Sequence, residues 1–212
     1  NTGTINLAGN LQDDDANATT GTIELDRGTV TGDVDNSGTV EGNGTIDGSL
    51  TTRAGSATTM SGTITKDLIN QGATLKLSKD LTIKGVITGG TAPQTNRAAA
   101  AAAAPAGATP AAVAGPSMTI NAGTTLTALG GVTNYAGSAL TVDGTLDTTT
   151  VTNYGSYAQT GTLDGSLDAK GGSATLGGTV TGNVNYTGGT LVTNNGLSIG
   201  GKLTLGKNHK IT

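Results

Sequence analysis

Few side chains in this sequence are of the kinds that perform nucleophilic or acid–base chemistry. The chain has one histidine, His209, and no cysteine. A catalytic serine needs a base that takes its proton, but His209 lies in the short stretch GKNHKIT with no such arrangement around it. We therefore predict no catalytic residue, interpret His209 as a surface side chain, and expect that the protein is not an enzyme.

Carboxylates clustered on one face would indicate a polysaccharide lyase or hydrolase, or a calcium site. The acidic candidates are Asp13, Asp14, Asp15, Asp47, Asp147 and Asp164. We interpret the run of three as a solvated loop. The other three recur at equivalent repeat positions, but the same place in neighbouring repeats holds Thr31, Thr65, Lys84 and Thr181. Because no cluster is maintained, we predict no metal site and no cofactor.

Threonines recur in Thr-x-Thr pairs, which place two hydroxyls on one side of a strand. With two aspartates they form a candidate contact face: Thr29, Thr31, Thr63, Thr65, Asp147, Asp164, Thr179 and Thr181. A regular array of this kind is typical of ice-binding surfaces, but aspartate or lysine interrupts it in several repeats. We interpret the threonines as ordinary strand residues on a face suited to weak, multivalent contacts.

Four asparagines occupy the same place in a recurring turn: Asn36, Asn70, Asn134 and Asn153. We predict an amide ladder in which each side chain hydrogen-bonds the next. The alternative is that asparagine is simply favoured in turns. Tyr135 and Tyr154 follow two of the asparagines, and we expect their rings to stack one repeat apart.

A repeat in the sequence determines where these residues lie in the fold. Its units begin Gly-Thr-aliphatic, with a second aliphatic residue about four positions later, at Gly28, Gly44, Gly62, Gly144, Gly161 and Gly178. The spacing is 16 residues from the first start to the second, 18 to the third, and 17 between the last three. Alternating aliphatic and polar residues predict half-buried strands. A fixed period favours stacked coils over an antiparallel sandwich, so we predict a right-handed parallel β-helix with about 17 residues and three strands per coil.

Three inward columns follow from this repeat. The first contains Val30, Ile46, Ile64, Ile83, Leu146, Leu163, Val180 and Ile199. The second contains Val34, Leu50, Leu68, Ile87, Val151, Leu167, Val184 and Leu203. The third is looser and contains Val40, Met60, Leu75, Ala158, Leu176 and Leu191.

The composition agrees with a long, thin core. The 212 residues include 36 glycines but no phenylalanine or tryptophan, so small aliphatic side chains must build the interior. A net charge of -4 without a basic cluster argues against nucleic acid as a partner. No run of about 18 apolar residues occurs, so we expect no membrane insertion by this segment.

One stretch interrupts the repeat. Residues 91–117 contain a seven-alanine run and all four prolines, and lack strand alternation. We interpret them as a loop or linker excursion between coils in 1–90 and coils in 118–212 of the same rod. At 17 residues per coil, the remaining chain would form roughly 11 coils and a rod of roughly 50 Å.

The run GTVTGDVDNSGTVEGNGTIDGSLTTRAGSATTMSGTI from Gly28, and its echo GTLDGSLDAKGGSATLGGTVTGNVNYTGGTL from Gly161, suggest a family. They resemble the passenger repeats of Gram-negative autotransporters and related surface exoproteins. The resemblance implies a right-handed β-helix on the outer cell surface or outside the cell. There such passengers serve adhesion, self-association or display of an effector domain. Since neither a signal peptide nor a translocator is recognised, we expect a segment from within a passenger.

These observations favour a structural or adhesive segment of a secreted bacterial surface protein. Its expected partners are other copies of itself, or a protein or glycan on a host or cell surface, with biofilm-type aggregation as the outcome. Two alternatives stay open. The chain is a carbohydrate-active β-helix fragment, or it is an inert stalk that displays a separate effector domain.

Overall fold

The computed structural model describes residues 22–90 and 115–206, together with the backbone of two short strands at 4–6 and 11–12. These residues form an all-β solenoid of about 9 turns, in which parallel strands about 18 residues apart lie over one another. The described residues contain no helix. The predicted fold class is confirmed. The number of turns is lower than the 11 expected for two reasons. Part of the chain lies outside the described residues, and coils such as that from Leu68 to Ile87 use 19 residues.

Each coil passes through three faces in turn. The first face holds β1 (Thr4–Asn6), β10 (Leu81–Ile83), β13 (Thr125–Ala128), β20 (Thr179–Val180) and β23 (Ser198–Ile199). The second face holds β2 (Leu11–Gln12), β4 (Val34–Asn36), β6 (Leu50–Thr52), β8 (Leu68–Asn70), β11 (Ile87–Gly89), β14 (Val132–Asn134), β21 (Val184–Tyr186) and β24 (Leu203–Leu205). All pairings between neighbouring coils on these faces are parallel.

The third face is a separate six-stranded sheet for much of the rod. It holds β9 (Thr74–Leu77), β12 (Ser117–Ile120), β15 (Ala139–Val142), β17 (Ser156–Gln159), β19 (Ser173–Leu176) and β22 (Thr190–Thr193).

Five longer strands continue around a corner. Three run from the third face into the first: β3 (Thr22–Thr31), β5 (Thr39–Asp47) and β7 (Ala57–Ile64). Two run from the first face into the second: β16 (Thr145–Asn153) and β18 (Thr162–Ala169).

The predicted second inward column is present along the rod. Its members pair in register from coil to coil, and the register also includes Leu11 and Val132. From Val34 to Val184 every member is buried, and Leu203 packs against the core. This unbroken aliphatic column stabilises the stack, because each side chain completes the apolar surroundings of the next.

The predicted first column is wrong as a single column. Ile83 pairs with Ala128, whereas Leu146 pairs with Leu126, which pairs with Leu81. The members before and after 91–117 therefore belong to two adjacent inward columns that are two residues apart. Irregularities in the register lie between Asp147 and Thr150 and between Asp26 and Thr29. The first of these irregularities lies at the corner between the first and second faces, and the second lies at the corner between the third and first faces.

The third column also needs a correction. Leu75 and Leu191 lie in one inward column with Met118, Leu140, Tyr157 and Ala174. Leu176 lies in the neighbouring inward column with Leu77, Ile120, Val142 and Gln159. Ala158 points outward between the buried Tyr157 and Gln159, because adjacent strand residues alternate between faces.

Coils on either side of the alanine-rich stretch stack directly. Leu75 in β9 pairs with Met118 in β12, and Ile87 in β11 pairs with Val132 in β14. The strand after the stretch begins at Ser117. Residues 91–114 lie outside the described ranges. Within those ranges, no helix is long and apolar enough to cross a membrane.

Candidate functional site

The corner that ends the second face concentrates buried polar side chains. We name this register column the Asn corner: Asn36, Thr52, Asn70, Gly89, Asn134, Asn153, Ala169 and Tyr186. It includes all four asparagines of the predicted amide ladder. Each asparagine is at most 2% exposed. Buried amides need partners, so their hydrogen bonds decide what the column does.

Most of these amides bind backbone carbonyls. The Nδ2 atom of Asn153 donates to the carbonyl oxygens of Gly155 at 3.2 Å and of Ser173 in the next coil at 3.2 Å. The Nδ2 atom of Asn70 donates to Ala73 and to Ser117, both at 3.1 Å. Each asparagine therefore ties its own turn to the coil above it.

A direct contact between two amides occurs once among the described residues. The Nδ2 atom of Asn134 donates to Oδ1 of Asn153 at 2.7 Å. The Thr52 hydroxyl makes a longer contact of 3.3 Å with Oδ1 of Asn70. Gly89 has no side chain and interrupts the column. The ladder is thus mixed, and the carbonyls of the turns supply most of its acceptors.

Tyr135 and Tyr154 stack beside the Asn corner, as the sequence predicted. Their ring centroids are 6.1 Å apart and the rings are inclined by 12°. Tyr154 is 38% exposed. An open groove of about 630 Å³ runs beside it and is lined by Gly115, Ala136, Gly137, Ser138, Ala139, Tyr154, Gly155, Ser156, Gly172 and Ser173. Tyr154 forms one wall of this groove, and the other lining side chains are small and uncharged.

The candidate contact face divides into three outward columns. Thr29, Thr63, Asp147 and Asp164 share one column with Thr45, Thr82 and Thr127. Thr31 lies in a second column with Asp47. Thr179 lies in a third with Thr145 and Thr162. The register between some coils is displaced by two residues. The second threonine of a Thr-x-Thr pair therefore does not always lie beside the second threonine of the pair in the next coil.

The outward aspartates of the first face bind threonine hydroxyls on neighbouring coils. Thr181 donates to Oδ1 of Asp164 at 2.7 Å, and Thr65 donates to Oδ1 of Asp47 at 2.8 Å. Asp147 accepts from Thr127 at 3.5 Å. Asp147 and Asp164 are register partners. These carboxylates link coils at an exposed surface.

A second set of polar residues was missed by the sequence analysis. They immediately precede the second inward column, and each side-chain oxygen accepts the N–H of the equivalent residue in the next coil. Asp33 accepts from Ser49 at 2.8 Å, and Asp67 accepts from Val86 at 2.9 Å. Ser166 accepts from Asn183 at 3.1 Å, and Asn183 accepts from Lys202 at 2.8 Å. The sequence signal is a polar acceptor just before the second aliphatic residue of several repeats.

One polar pair lies inside the core. The Tyr157 hydroxyl donates to Oε1 of Gln159 at 2.8 Å, and Nε2 of Gln159 donates to the carbonyl of Thr179 at 2.7 Å. Tyr157 and Gln159 are each 1% exposed. Burial raises the pKa of Tyr157 far above its ordinary value, because the phenolate would lose its hydration.

The third face presents an uncharged surface on five consecutive strands, β12, β15, β17, β19 and β22. Its outward residues are Ser117, Thr119, Ala139, Thr141, Ser156, Ala158, Ser173, Thr175, Thr190 and Val192. We name this surface the neutral face. The groove beside Tyr154 forms one of its borders, since Ala139, Ser156 and Ser173 belong to both.

The sequence contains the letters Gly-x-Ser-x-Gly once, at 196–200, a pattern that serine hydrolases use at a strand-to-helix turn. Here Ser198 lies in the short strand β23 and pairs with Thr179. Within 22–90 and 115–206, no three His, Cys, Asp or Glu side chains are grouped to hold a metal ion. Asp13, Asp14, Asp15 and His209 lie outside the described residues.

Comparison with protein-family models, with curated proteins and with solved structures gives no match to this chain.

Proposed function

We propose that this chain is a structural and adhesive segment of a secreted bacterial surface protein, a rigid rod that associates with other copies of itself or with a protein or glycan on a cell surface. The observation that carries the proposal is the continuous stack. Inward aliphatic residues, the Asn corner and side-chain contacts between coils all join each coil to the next.

A rod of this construction supports adhesion because its surface repeats with its coils. Strands of neighbouring coils lie about 4.8 Å apart, so one outward side chain recurs as a column along the rod. Individually weak contacts of such columns add up when several engage together. The outward columns consist mainly of threonine, serine, asparagine and aspartate, which bind polar partners by hydrogen bonds.

The outer surface of a Gram-negative bacterium, or the medium around it, is the location that we propose. The support is the resemblance of the repeats at Gly28 and Gly161 to autotransporter passengers. A fold held by stacked coils needs no disulfide when it assembles outside the cell.

Sedimentation equilibrium of the purified chain tests self-association. We expect the weight-average mass to rise above the 20.5 kDa of one chain as the concentration approaches the millimolar range. A strictly monomeric chain at the highest attainable concentration contradicts self-association. Binding to intact bacterial cells, measured with labelled chain and competed by unlabelled chain, tests the adhesive role separately.

The carbohydrate-active alternative makes a different prediction. A fragment of that kind would release new reducing ends or unsaturated sugars from acidic or neutral polysaccharides, whereas an adhesive rod would bind them without cleavage. Incubation of the chain with a panel of polysaccharides, followed by both assays, separates the two functions. Cleavage of any polysaccharide overturns the structural proposal.

A further inference from the structure

The outward charges of the rod are unevenly distributed. Exposed carboxylates stand on the first face at Asp47, Asp147 and Asp164, with Lys84 as an exposed cation. The second face carries Asp35 and Asp168 in its single outward column. The neutral face carries no charged side chain across five strands and two outward columns.

This distribution determines which surfaces two identical chains can bring together. Each copy has a net charge of -4, so two copies repel each other at long range. Contact between two first faces would also desolvate and oppose like carboxylates, which is unfavourable. Contact between two neutral faces buries only hydroxyls, methyl groups and one valine.

We propose that the neutral face is the surface through which a second copy of this chain docks, side by side, in an isologous pair. This inference rests on the proposed self-association and names its surface. An isologous contact requires a patch that complements itself, and small uncharged side chains on a β-sheet meet that requirement. Hydroxyls of Thr119, Thr141 and Thr175 then hydrogen-bond across the pair.

The groove at the border of the neutral face extends the contact. When the two rods are antiparallel about a two-fold axis, the Tyr154 border of each copy lies against the same border of the other. The groove of about 630 Å³ has room for an aromatic ring. Tyr154, which is 38% exposed, can thus bury its ring against Ser156 and Ser173 of the second copy.

The size of the neutral face predicts a weak pair. Five strands at about 4.8 Å and four residues at about 3.3 Å give about 24 by 13 Å, or roughly 300 Å² per copy. Stable complexes bury about 800 Å² per partner. The pair therefore forms at high concentration, and gains strength where several rods are held close together.

Matched double variants test the surface. Thr119→Glu with Thr141→Glu places two carboxylates on adjacent strands of the neutral face. Thr133→Glu with Thr152→Glu places two on adjacent strands of the second face. All four threonines are half-buried and point outward, so the variants match in charge and in type of site. Circular dichroism melts establish that each variant is folded.

We expect the association constant, measured by sedimentation equilibrium, to fall at least tenfold for the neutral-face variant and to stay within twofold for the second-face variant. Mixing the neutral-face glutamate variant with Thr119→Lys, Thr141→Lys then restores association, because the two copies meet through the same face. An equal loss in both glutamate variants, or no restoration on mixing, overturns the proposed surface. If the unmodified chain itself stays monomeric, self-association fails as well.

Discussion

The side-chain nitrogen of Asn134 donates a hydrogen bond of 2.7 Å to Oδ1 of Asn153, its register partner in the next coil. The same nitrogen donates to the carbonyl of Ser156 at 2.8 Å. On its other side, Oδ1 of Asn134 accepts from the Ser138 hydroxyl at 2.6 Å. Both ends of the amide are therefore used, and the side chain is 2% exposed. A change that turns its donor into an acceptor affects two coils at once.

Asn134→Asp should make the stability of the rod depend on pH. The new carboxylate faces two acceptors, Oδ1 of Asn153 and the carbonyl of Ser156, in a buried site. Burial and these acceptors raise its folded pKa above the unfolded value of about 3.9. The folded state then holds the proton more tightly, so stability is greatest below the unfolded pKa and is lost as pH rises through the folded pKa.

Urea unfolding of this variant at about pH 5 and at about pH 8 measures the effect. We expect an additional loss of up to about 4 kcal/mol at the higher pH relative to the unmodified chain, because stability falls by about 1.4 kcal/mol for each pH unit between the unfolded and the folded pKa. Asn195→Asp, at an exposed turn position, is the control and should show no such loss. An equal pH dependence in both variants would mean that the Asn134 site admits water.

Thr58→Val should stabilise the protein. Thr58 is 3% exposed, and its hydroxyl has no hydrogen-bond partner among the described residues. Valine has nearly the same shape without the hydroxyl, so the cost of burying an unpaired polar group disappears. We expect the free energy of unfolding to rise by about 1 kcal/mol, measured by urea denaturation.

Thr148→Val is the matched control for this change. Thr148 is also buried, at 6% exposure, but its hydroxyl donates to the carbonyl of Ala128 at 2.8 Å. Valine at this position leaves that carbonyl without its side-chain donor, and we expect a loss of about 1 kcal/mol. If both variants change stability in the same direction, hydrogen bonding is not the property that separates the two sites.

The second inward column could be predicted from the sequence, because its residues follow a turn that holds them at the same position in every coil. The first column could not be predicted in the same way, and the cause is the geometry of β-strands. Inward positions recur every two residues, so a displacement of two keeps every aliphatic side chain inside. Leu126 and Ala128 are both inward, and the Gly-Thr-aliphatic letters do not reveal which of them continues Ile83. The hydrogen bonds that set the register decide it, and they join residues far apart in the chain.

The parts of the candidate site also differ in how far the sequence predicts them. The place of Asn134 and Asn153 in one corner follows from their recurrence in the sequence. Their main acceptors, such as the Ser173 carbonyl, are backbone atoms, which carry no sequence signal. Tyr157 was missed because its neighbour Ala158 looked like the inward residue. Gln159, two residues along the same strand, accepts the hydrogen bond that the buried Tyr157 hydroxyl donates.

Tyr157 should limit stability at alkaline pH. Its folded pKa is raised by burial, whereas an unfolded tyrosine ionises near pH 10. Its contribution is therefore fully present below about pH 10 and is lost above it, by about 1.4 kcal/mol per pH unit. Tyr157→Phe removes this ionisation but leaves Oε1 of Gln159 without its donor.

We expect Tyr157→Phe to be less stable than the unmodified chain near pH 8 by about 1 kcal/mol, and the difference to shrink or reverse near pH 11. Urea unfolding across this range measures both effects. Tyr154→Phe, at a ring that is 38% exposed, is the control and should keep the alkaline loss. An alkaline loss of the same size in Tyr157→Phe would assign it to other groups.

Gly161→Ala tests how closely the coils approach at a corner. A Cβ atom at Gly161 would lie 2.0 Å from the carbonyl oxygen of Gly144 and 2.5 Å from that of Asp143. Both contacts are to backbone of the neighbouring coil, so the methyl group fits only if two coils move apart. We expect a loss of about 3 kcal/mol in the free energy of unfolding.

Gly89→Ala is the matched control, because neither glycine has a φ angle in the left-handed region. The nearest atom to a Cβ at Gly89 is Oδ1 of Asn134, at 3.3 Å, and side chains can adjust where backbone cannot. Alanine also reduces the freedom of the unfolded chain, which offsets the tight contact. We expect a change within about 1 kcal/mol. A similar loss in both variants would show that crowding by side chains, and not the approach of the backbones, limits this rod.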